Sequence, residues 1–561
     1  MSLKDLIKTL NLTADLFELL EENAFRINSY RAAARSLEGI EESLESLTER
    51  KFKGVPKIGS TLAVLLVEYA QSGVFGPLEE AASQVPAGVL TLFKVRGLGP
   101  KKIRLLWNTG IESLEDLREA CENGVIATLK GFGAKSQANI LESVVFALQS
   151  QERFHLSTAM SIADLLLQHF KDMAPRLAGS VSRGLETAAD VEITISCSKD
   201  STEDTLKKIA ENVHHAEGYP AWQGEIQGVR IEVGYAEPEV RGALDATFSG
   251  AYWRETLQAR ATEKSMELSS AGLKQNGSPL FTLSEEDVLE ALDFPYLPPE
   301  YREPEHEGLS LPEASELVTV QDIKGMLHVH SHYSDGIPTL RDLIQTVTAN
   351  GHEYLGMGDH SVSAYYARGL SIERLQEQMQ EIDALRSEGF KILKGSEVDI
   401  LQDGTLDYPD EVLSQLDYVV ASVHSHFTLS EKEQTERLIK AVSHPLITIL
   451  GHPTGRLLLR RPSYAVDLDA VLEAAAAHNT VIEINANAYR LDLDWRVALK
   501  WRDRLKFAIN TDAHVLGGLK DIRYGVAVAR KAGLTPQHVI NTLSYEELQE
   551  FVKKQRSGRQ S

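Results

Sequence analysis

Three kinds of hydrophobic pattern divide this 561-residue chain. From about residue 320 onward, short apolar runs end in polar clusters: MLHVHSHYSDG, LGMGDHS, ILKGSEVDI, YVVASVHSHF, ITILGHPTGR and FAINTDAH. A short, unbroken apolar run bounded by polar residues predicts a strand buried on both faces. Strands that deliver polar side chains at their C-terminal ends, repeated around a barrel, converge on one mouth. In the first 150 residues the period is helical instead. VPKIGSTLAVLL (55–66), VRGLGPKKIRLL (95–106) and LKGFGAKSQANIL (129–141) each place a glycine-containing turn before a helical repeat. Between these regions, LAGSVSRGLETAADVEITI (177–195) predicts a short helix and then a strand.

Two polar stretches punctuate the chain. Residues 297–316, rich in Pro and Glu, predict a linker, and the basic tail 553–561 predicts disorder. A chain this long exceeds one core, so three or four domains are expected. The boundaries fall at 1–88, 89–150, 151–310, 320–540 and a tail at 541–561.

Composition narrows the function classes. No apolar run is long enough to span a bilayer, and MSLKDLIKTL lacks a signal-peptide core, so a cytoplasmic protein without membrane partners is expected. The two cysteines, Cys121 and Cys197, lie in different segments and suggest no disulfide framework. The net charge of −23 has the wrong sign for a simple DNA binder. It is unevenly spread: about −2 over 1–150, −16 over 151–319 and −5 over 320–561.

The near-neutral first segment therefore keeps its glycine turns as a candidate phosphate-binding surface. Gly59, Gly97, Gly99, Gly131 and Gly133 permit tight turns, the amides opening each following helix face an anion, and Lys101, Lys102 and Lys135 add charge. One such turn is weak evidence, because a helix cap followed by a new helix looks similar. Three within 90 residues are stronger.

In the middle segment, Asp190 and Glu192 share one strand face, and Glu232 in GVRIEVG offers a third carboxylate from a neighbouring strand. Such a group suits Mg²⁺ or Mn²⁺ in phosphoryl transfer, although a solvated strand face has the same pattern.

The densest chemistry is in the last segment. His328, His330, Asp335, His360, Glu397, His424, His452, Asp512 and His514 stand at or just beyond the apolar runs. Imidazole and carboxylate together suit Zn²⁺, Mn²⁺ or Fe²⁺, and nine ligands are too many for one ion. Ions a few ångströms apart clamp the attacking and leaving oxygens of a phosphoester. Seventeen histidines are ordinary for this length, and His332, His352, His426, His444 and His478 fall outside the pattern as rim, surface or core residues.

The order HxH, Asp, DH, GxE, VH, GHP, DAH resembles the polymerase and histidinol phosphatase (PHP) family over roughly 320–535. The resemblance implies a distorted (β/α)7 barrel with up to three ions. One would be held by His328, His330, Glu397 and Asp512, a second by Asp335, His360 and His514, and a third by His424, His452 and a bridging Glu397. Arg456, in HPTGR, is a candidate phosphate contact. The glycine turns resemble helix-hairpin-helix elements, which bind DNA backbones without sequence preference. Residues 24–40 with 55–69 resemble the lyase domain of family X DNA polymerases, but the family's two lysines correspond to Thr61 and Leu65 here, and neither side chain forms an imine.

Residues 90–300 resemble the fingers, palm and thumb of bacterial family X polymerases. That resemblance implies nucleotide contacts from Gly179, Ser180, Arg183, Phe248 and Gly250. Three features depart from the family. Its three aspartates are Asp190, Glu192 and Glu232 here, Ala189 replaces a glycine, and the nucleotide platform reads Thr247-Phe248-Ser249-Gly250 without its tyrosine. A carboxylate displaced by a methylene disturbs two-metal chemistry, so weak or absent synthesis is expected.

The whole chain thus resembles a family X polymerase with an appended PHP domain, a multidomain α+β and α/β protein. The expectation is a monomeric DNA repair enzyme: a 3′-to-5′ exonuclease or abasic-site processor acting on gapped, nicked or 3′-ended DNA, with dNTP as a further ligand of the palm. Its rivals are a phosphatase for small phosphomonoesters and a non-catalytic DNA-end scaffold.

Overall fold

The computed structural model describes residues 3–559 apart from 39 and 41–43, so the last two residues of the predicted tail lie outside the described part. The chain divides into two compact units, 1–151 and 152–561.

The first unit is helical. Helices Leu3–Leu19 and Ala24–Glu38 pack through Phe17 and Tyr30, whose rings meet edge-on at 5.2 Å, and Phe75 and Tyr69 continue the aromatic chain. The three glycine turns share one backbone form. Lys57, Gly97 and Gly131 adopt positive φ (64°, 86° and 89°). Two residues later, Gly59, Gly99 and Gly133 are extended N-caps of the helices Ser60–Ser72, Pro100–Asn108 and Ala134–Ser150. None of the three caps has a side-chain acceptor, so the first-turn amides stay available to an external anion. In the first turn Lys57 adopts the conformation that glycine supplies in the other two, at a modest strain cost.

The second unit holds a palm, a thumb and a barrel. The palm sheet contains β1 (Arg176–Leu177), β2 (Val191–Ser196), β3 (Glu211–His215), β4 (Ala221–Ile226) and β5 (Val229–Ala236), in the order β1-β2-β5-β4-β3. Only β2 and β5 are parallel, and their register sets Glu192 opposite Glu232. The thumb is the helix Ala251–Glu263, a three-stranded antiparallel sheet and the helix Glu285–Ala291, which a Ser284–Asp287 capping box opens.

The barrel strands are β6 (Gly325–Val329), β7 (Tyr354–Met357), β8 (two pieces, Ile392–Leu393 and Gly395–Asp399), β9 (Tyr418–Ser422), β10 (Ile449–Leu450), β11 (Val481–Asn485) and β12 (Phe507–Asn510). Neighbours pair in parallel, and a Val329–Ala513 bridge closes β12 back onto β6, giving seven strands. Every strand residue is buried, as the unbroken apolar runs require. The Tyr418 ring fills the space beneath the mouth. A Cβ on Gly395 would lie 2.2 Å from that ring, which is why glycine stands there. The Tyr418 hydroxyl donates to Met357 O at 2.7 Å and accepts from the His328 amide at 3.2 Å, bracing β6 and β7.

Two expectations fail. The tail forms a helix, Tyr545–Arg559, whose Leu548 and Val552 cover a second apolar cluster with Leu327, Tyr354 and Tyr418. Its lysines and arginines dominate the sequence there, but the apolar residues four apart decide the outcome. The predicted linker 297–316 is a packed strap. Buried Arg302 makes paired bonds to Glu285 at 2.8 and 3.0 Å, and buried His306 stacks on Trp495 at 4.9 Å and bonds Lys531 O at 2.8 Å. The prolines that suggested a linker pre-order this strap by fixing φ.

Candidate metal centre

All nine predicted ligands converge at the C-terminal mouth of the barrel. His328 and Glu397 stand within β6 and β8, and His330, Asp335, His360, His424, His452, Asp512 and His514 lie on the loops just beyond β6, β7, β9, β10 and β12. His328, His452 and Asp512 occupy the left-handed backbone region, with φ of 53°, 24° and 51°. Each costs about 1–3 kcal/mol, which the rigid barrel sustains while it turns the side chain inward. For His328 the device is a register slip between Met326 and Val329.

The ligand atoms form overlapping groups. His330 Nε2 lies 3.0 Å from Asp512 Oδ1, and His328 Nε2 lies 3.3 Å from Glu397 Oε1. Asp335 Oδ1 is 3.3 Å from His514 Nε2 and 3.6 Å from His360 Nε2. Glu397 Oε1 is also 2.8 Å from His452 Nε2 and 3.3 Å from His424 Nε2, and Glu397 Oε2 is 3.0 Å from His360 Nδ1. Glu397 is thus the hub. Four subsets keep their ligand atoms within 4.8 Å of one another, close enough to share a cation. His328 Nε2, both nitrogens of His330, His360 Nδ1 and Glu397 Oε2 are buried without a hydrogen-bond partner. Buried polar atoms are seldom left in that state, and five in one cluster fit divalent metal coordination.

Electrostatics agrees. Burial opposes charge on Glu397, but His424, His328 and His360 outweigh it and hold the carboxyl well below its usual range. Burial, with His514 beside it, pushes His330 down to about 4, so its imidazole is neutral and one ring nitrogen keeps a lone pair free to coordinate. Asp335 and His514 retain 34 % and 35 % side-chain exposure against 0–1 % for His328, His330 and Glu397, so the centre opens to solvent on that side.

A supporting shell, which the sequence reading missed, orients the ligands. Glu483, wholly buried on β11, accepts from His328 Nδ1 at 2.6 Å, the His452 amide at 2.6 Å and Asn510 Nδ2 at 2.8 Å. Asp399 holds His424 Nδ1 at 2.9 Å, and Asp512 O holds His514 Nδ1 at 2.8 Å. Each bond leaves Nε2 facing the centre. Asp359 accepts from the Ser331 amide and hydroxyl at 2.9 and 2.8 Å, tying the first ligand loop to β7. The one sequence signal for Glu483 is an acid at the middle of the apolar run VIEIN.

Arg456 is a correction. It pairs with Asp494 at 2.9 Å and Glu186 at 3.3 Å and donates to the Arg490 and Leu491 carbonyls, so it joins the barrel to the palm and has four of its five N–H donors engaged away from substrate. The cation beside the cluster is Arg490, whose Nε is 3.4 Å from Asp512 Oδ2.

The palm brings its three acids together but engages two of them, Glu192 and Glu232, otherwise. Glu232 Oε2 accepts from Tyr219 at 2.9 Å and Gln223 at 2.5 Å. The longer Glu192 side chain folds onto the Gly179–Ser180 turn: a Cβ at Gly179 would sit 1.4 Å from Glu192 Oε2. Burial, then Asp190 and Glu232, push Glu192 up to about 8. Arg183 is held by Glu303 at 2.8 Å and Ser249 O at 2.9 Å, with its guanidinium against Gly250. Phe248 is buried against Gly234 and Tyr219. In the first unit, Lys101 and Lys135 are exposed, whereas Lys102 bonds Gly97 O at 3.0 Å and lies over the Phe132 ring.

Comparison with known proteins agrees with this architecture. Family models match for a helix-hairpin-helix domain (residues 1–75), a SAM-like helix-hairpin-helix tandem (89–144), a DNA polymerase beta thumb (247–303) and a PHP domain (326–487). The chain is 33% identical to a Bacillus subtilis protein named DNA polymerase/3′-5′ exonuclease PolX, over 99% of this chain and 100% of the relative. It is also 32% identical to a probable phosphatase of Thermoanaerobacter sp. over 30% of this chain and 71% of that protein, and 31% identical to one of Clostridium acetobutylicum over 28% and 63%.

Proposed function

The chain belongs to the PolX family, and we propose that in this member the barrel centre hydrolyses DNA phosphodiesters from the 3′ end while the palm synthesises poorly or not at all. The observation that carries the reading is the convergence of nine ligand side chains on one mouth, with Glu397 shared among them. His328, His330, Glu397 and Asp512 would hold one ion, Asp335, His360 and His514 a second, and His424, His452 and Glu397 a third. The mix of imidazole and carboxylate favours Mn²⁺ or Zn²⁺. Bound ions would supply the Lewis acidity that phosphodiester hydrolysis needs.

The chain's own residues do the rest. Glu483, Asp399 and the Asp512 carbonyl fix the imidazoles, Arg490 is placed to meet a phosphate oxygen, and the open Asp335–His514 side admits the strand. The helix-hairpin-helix amides hold the DNA backbone, with Lys101 and Lys135 adding charge. The lyase-like region binds ends without lyase chemistry, since Thr61 and Leu65 offer no amine. Gapped, nicked or 3′-ended DNA, including abasic ends, is the substrate class. A monomer in the cytoplasm suits the reading, and no single described helix is long and apolar enough to cross a membrane.

The direct test is a 3′-recessed primer-template with Mn²⁺, with and without nucleotides. Shortening of the primer under both conditions is expected, and net extension would overturn the reading. The likeness to probable phosphatases supports a second reading, hydrolysis of small phosphomonoesters. A higher kcat/KM on p-nitrophenyl phosphate than on a single-stranded oligonucleotide would favour it.

A further inference from the structure

Among the described residues from 320 on, every large apolar side chain that stays exposed lies in a loop or short 3-10 turn at the ligand-bearing end of the barrel: Ile337, Val362, Tyr365, Tyr366, Tyr489 and the Val515–Leu516 pair. The outer helices expose none. Apolar residues scattered singly over a surface carry no message, but a set confined to the rim of one site marks recognition. Two of them, Tyr365 and Tyr366, 85 % and 63 % exposed, share the short turn that follows His360. The two rings stand 6.2 Å apart at 77° to each other, so one base stacks on one ring with the other at its edge, and the Tyr366 ring is 6.4 Å from the His360 ring.

The segment SVSAYYA (361–367) carries no charge of its own, and Arg368 is the one cation that directly follows it, so the rings are the turn's main recognition feature. A nucleic acid strand that presents its phosphorus to the metal ligands would project the adjoining bases onto this rim. Aromatic rings stack on bases of any sequence, and only an unpaired base offers a free face.

We propose that Tyr365 and Tyr366 form a stacking surface for the terminal base of a DNA 3′ end, so that the centre holds a base-bearing end better than an abasic one. The inference rests on the exonuclease reading above and assigns the residues that meet the terminal base.

The full-length protein tests it with a single-stranded oligonucleotide that carries 2-aminopurine as its 3′-terminal base and a phosphorothioate at the last linkage. Fluorescence quenching on binding is expected for the wild type and for Tyr365→Phe/Tyr366→Phe, and none for Tyr365→Ala/Tyr366→Ala. In turnover, the wild type is expected to favour a base-bearing over an abasic 3′ terminus by roughly five- to hundredfold, mainly through KM. The double alanine variant is expected to bring that ratio close to one, and the double phenylalanine variant to restore it. Wild-type quenching and ratio in the double alanine variant would overturn the stacking surface alone. A wild type that shortens no oligonucleotide yet hydrolyses a phosphomonoester would overturn the exonuclease reading and the stacking surface with it.

Discussion

Glu483 shows how one side chain supports a cluster that it does not join. Its two oxygens accept from a ligand imidazole, a ligand backbone amide and an asparagine, so its charge and its shape both matter. Glu483→Gln keeps the shape but loses the charge and one of the two acceptor oxygens, so His328 Nδ1 and the His452 amide can no longer both be satisfied. Metal affinity or nuclease rate is expected to fall about 10–100-fold, measured by metal titration and by oligonucleotide shortening; unchanged values would remove Glu483 from the supporting shell. Glu192 offers a test by pH. Its folded pKa, about 8, lies above the 4.5 of an unperturbed glutamate, so between those values the unfolded chain loses the proton that the native palm keeps. Stability therefore falls as pH rises from about 4.5 to 8. Glu192→Gln is expected to flatten that decline in urea denaturation of the full chain, and an unaltered slope would show that Glu192 ionises normally. The grouping of the nine candidate ligands was legible in the sequence because each stands at or just beyond an apolar run, and the structure brings these side chains to one mouth. Glu483 was not, because a single acid inside such a run does not reveal its partner on another strand.

At the scale of elements, the loop after β10 carries both His452 and Arg456, and Arg456 fastens it to Glu186 of the palm and to Asp494. Removing one partner of a buried ion cluster leaves the others uncompensated, at about 3–5 kcal/mol. Arg456→Ala is thus expected to lower unfolding stability by about 3 kcal/mol, whereas a phosphate contact would change KM and leave stability alone. Denaturant melts beside steady-state kinetics separate the two. Sequence alone favoured the phosphate role, because an arginine four residues past a ligand looks poised for substrate. Its acidic partners lie 38 and 270 residues away in the chain, so no local pattern could announce them. The same limit explains the strap and the C-terminal helix. Both looked polar, and both are fixed by a few buried side chains, Tyr301, Arg302 and His306 in one and Leu548 and Val552 in the other.

For the whole molecule, the order of the domains was legible, and so was the barrel, because motif order and apolar runs pointed to the same fold. What became of the palm was only half legible. The Asp190–Glu192–Glu232 set announced a departure, but the fold shows its form: Glu232 is bonded to Tyr219 and Gln223, and Arg183 to Glu303 of the strap. With the nuclease silenced by His330→Ala, primer extension with Mg²⁺ is expected to stay well below the 1 per second of ordinary enzymes, about one per second being the lower end of typical turnover. Any residual synthesis should need Mn²⁺, whose coordination is more forgiving. Recovery on Glu192→Asp with Glu232→Asp would locate the defect in side-chain length, and Mg²⁺-dependent extension by the His330→Ala protein at ordinary rates would refute the degeneracy.

If the nine-ligand centre performs the hydrolysis, the reaction depends on the shared side chain Glu397. Single-turnover shortening of a 5′-labelled single-stranded oligonucleotide in Mn²⁺ should proceed from the 3′ end with the wild-type chain. With Glu397→Gln, which keeps the size of the hub and removes its charge, shortening should fall below detection. A Glu397→Gln protein that shortens the strand at the wild-type rate would place the hydrolysis outside this centre.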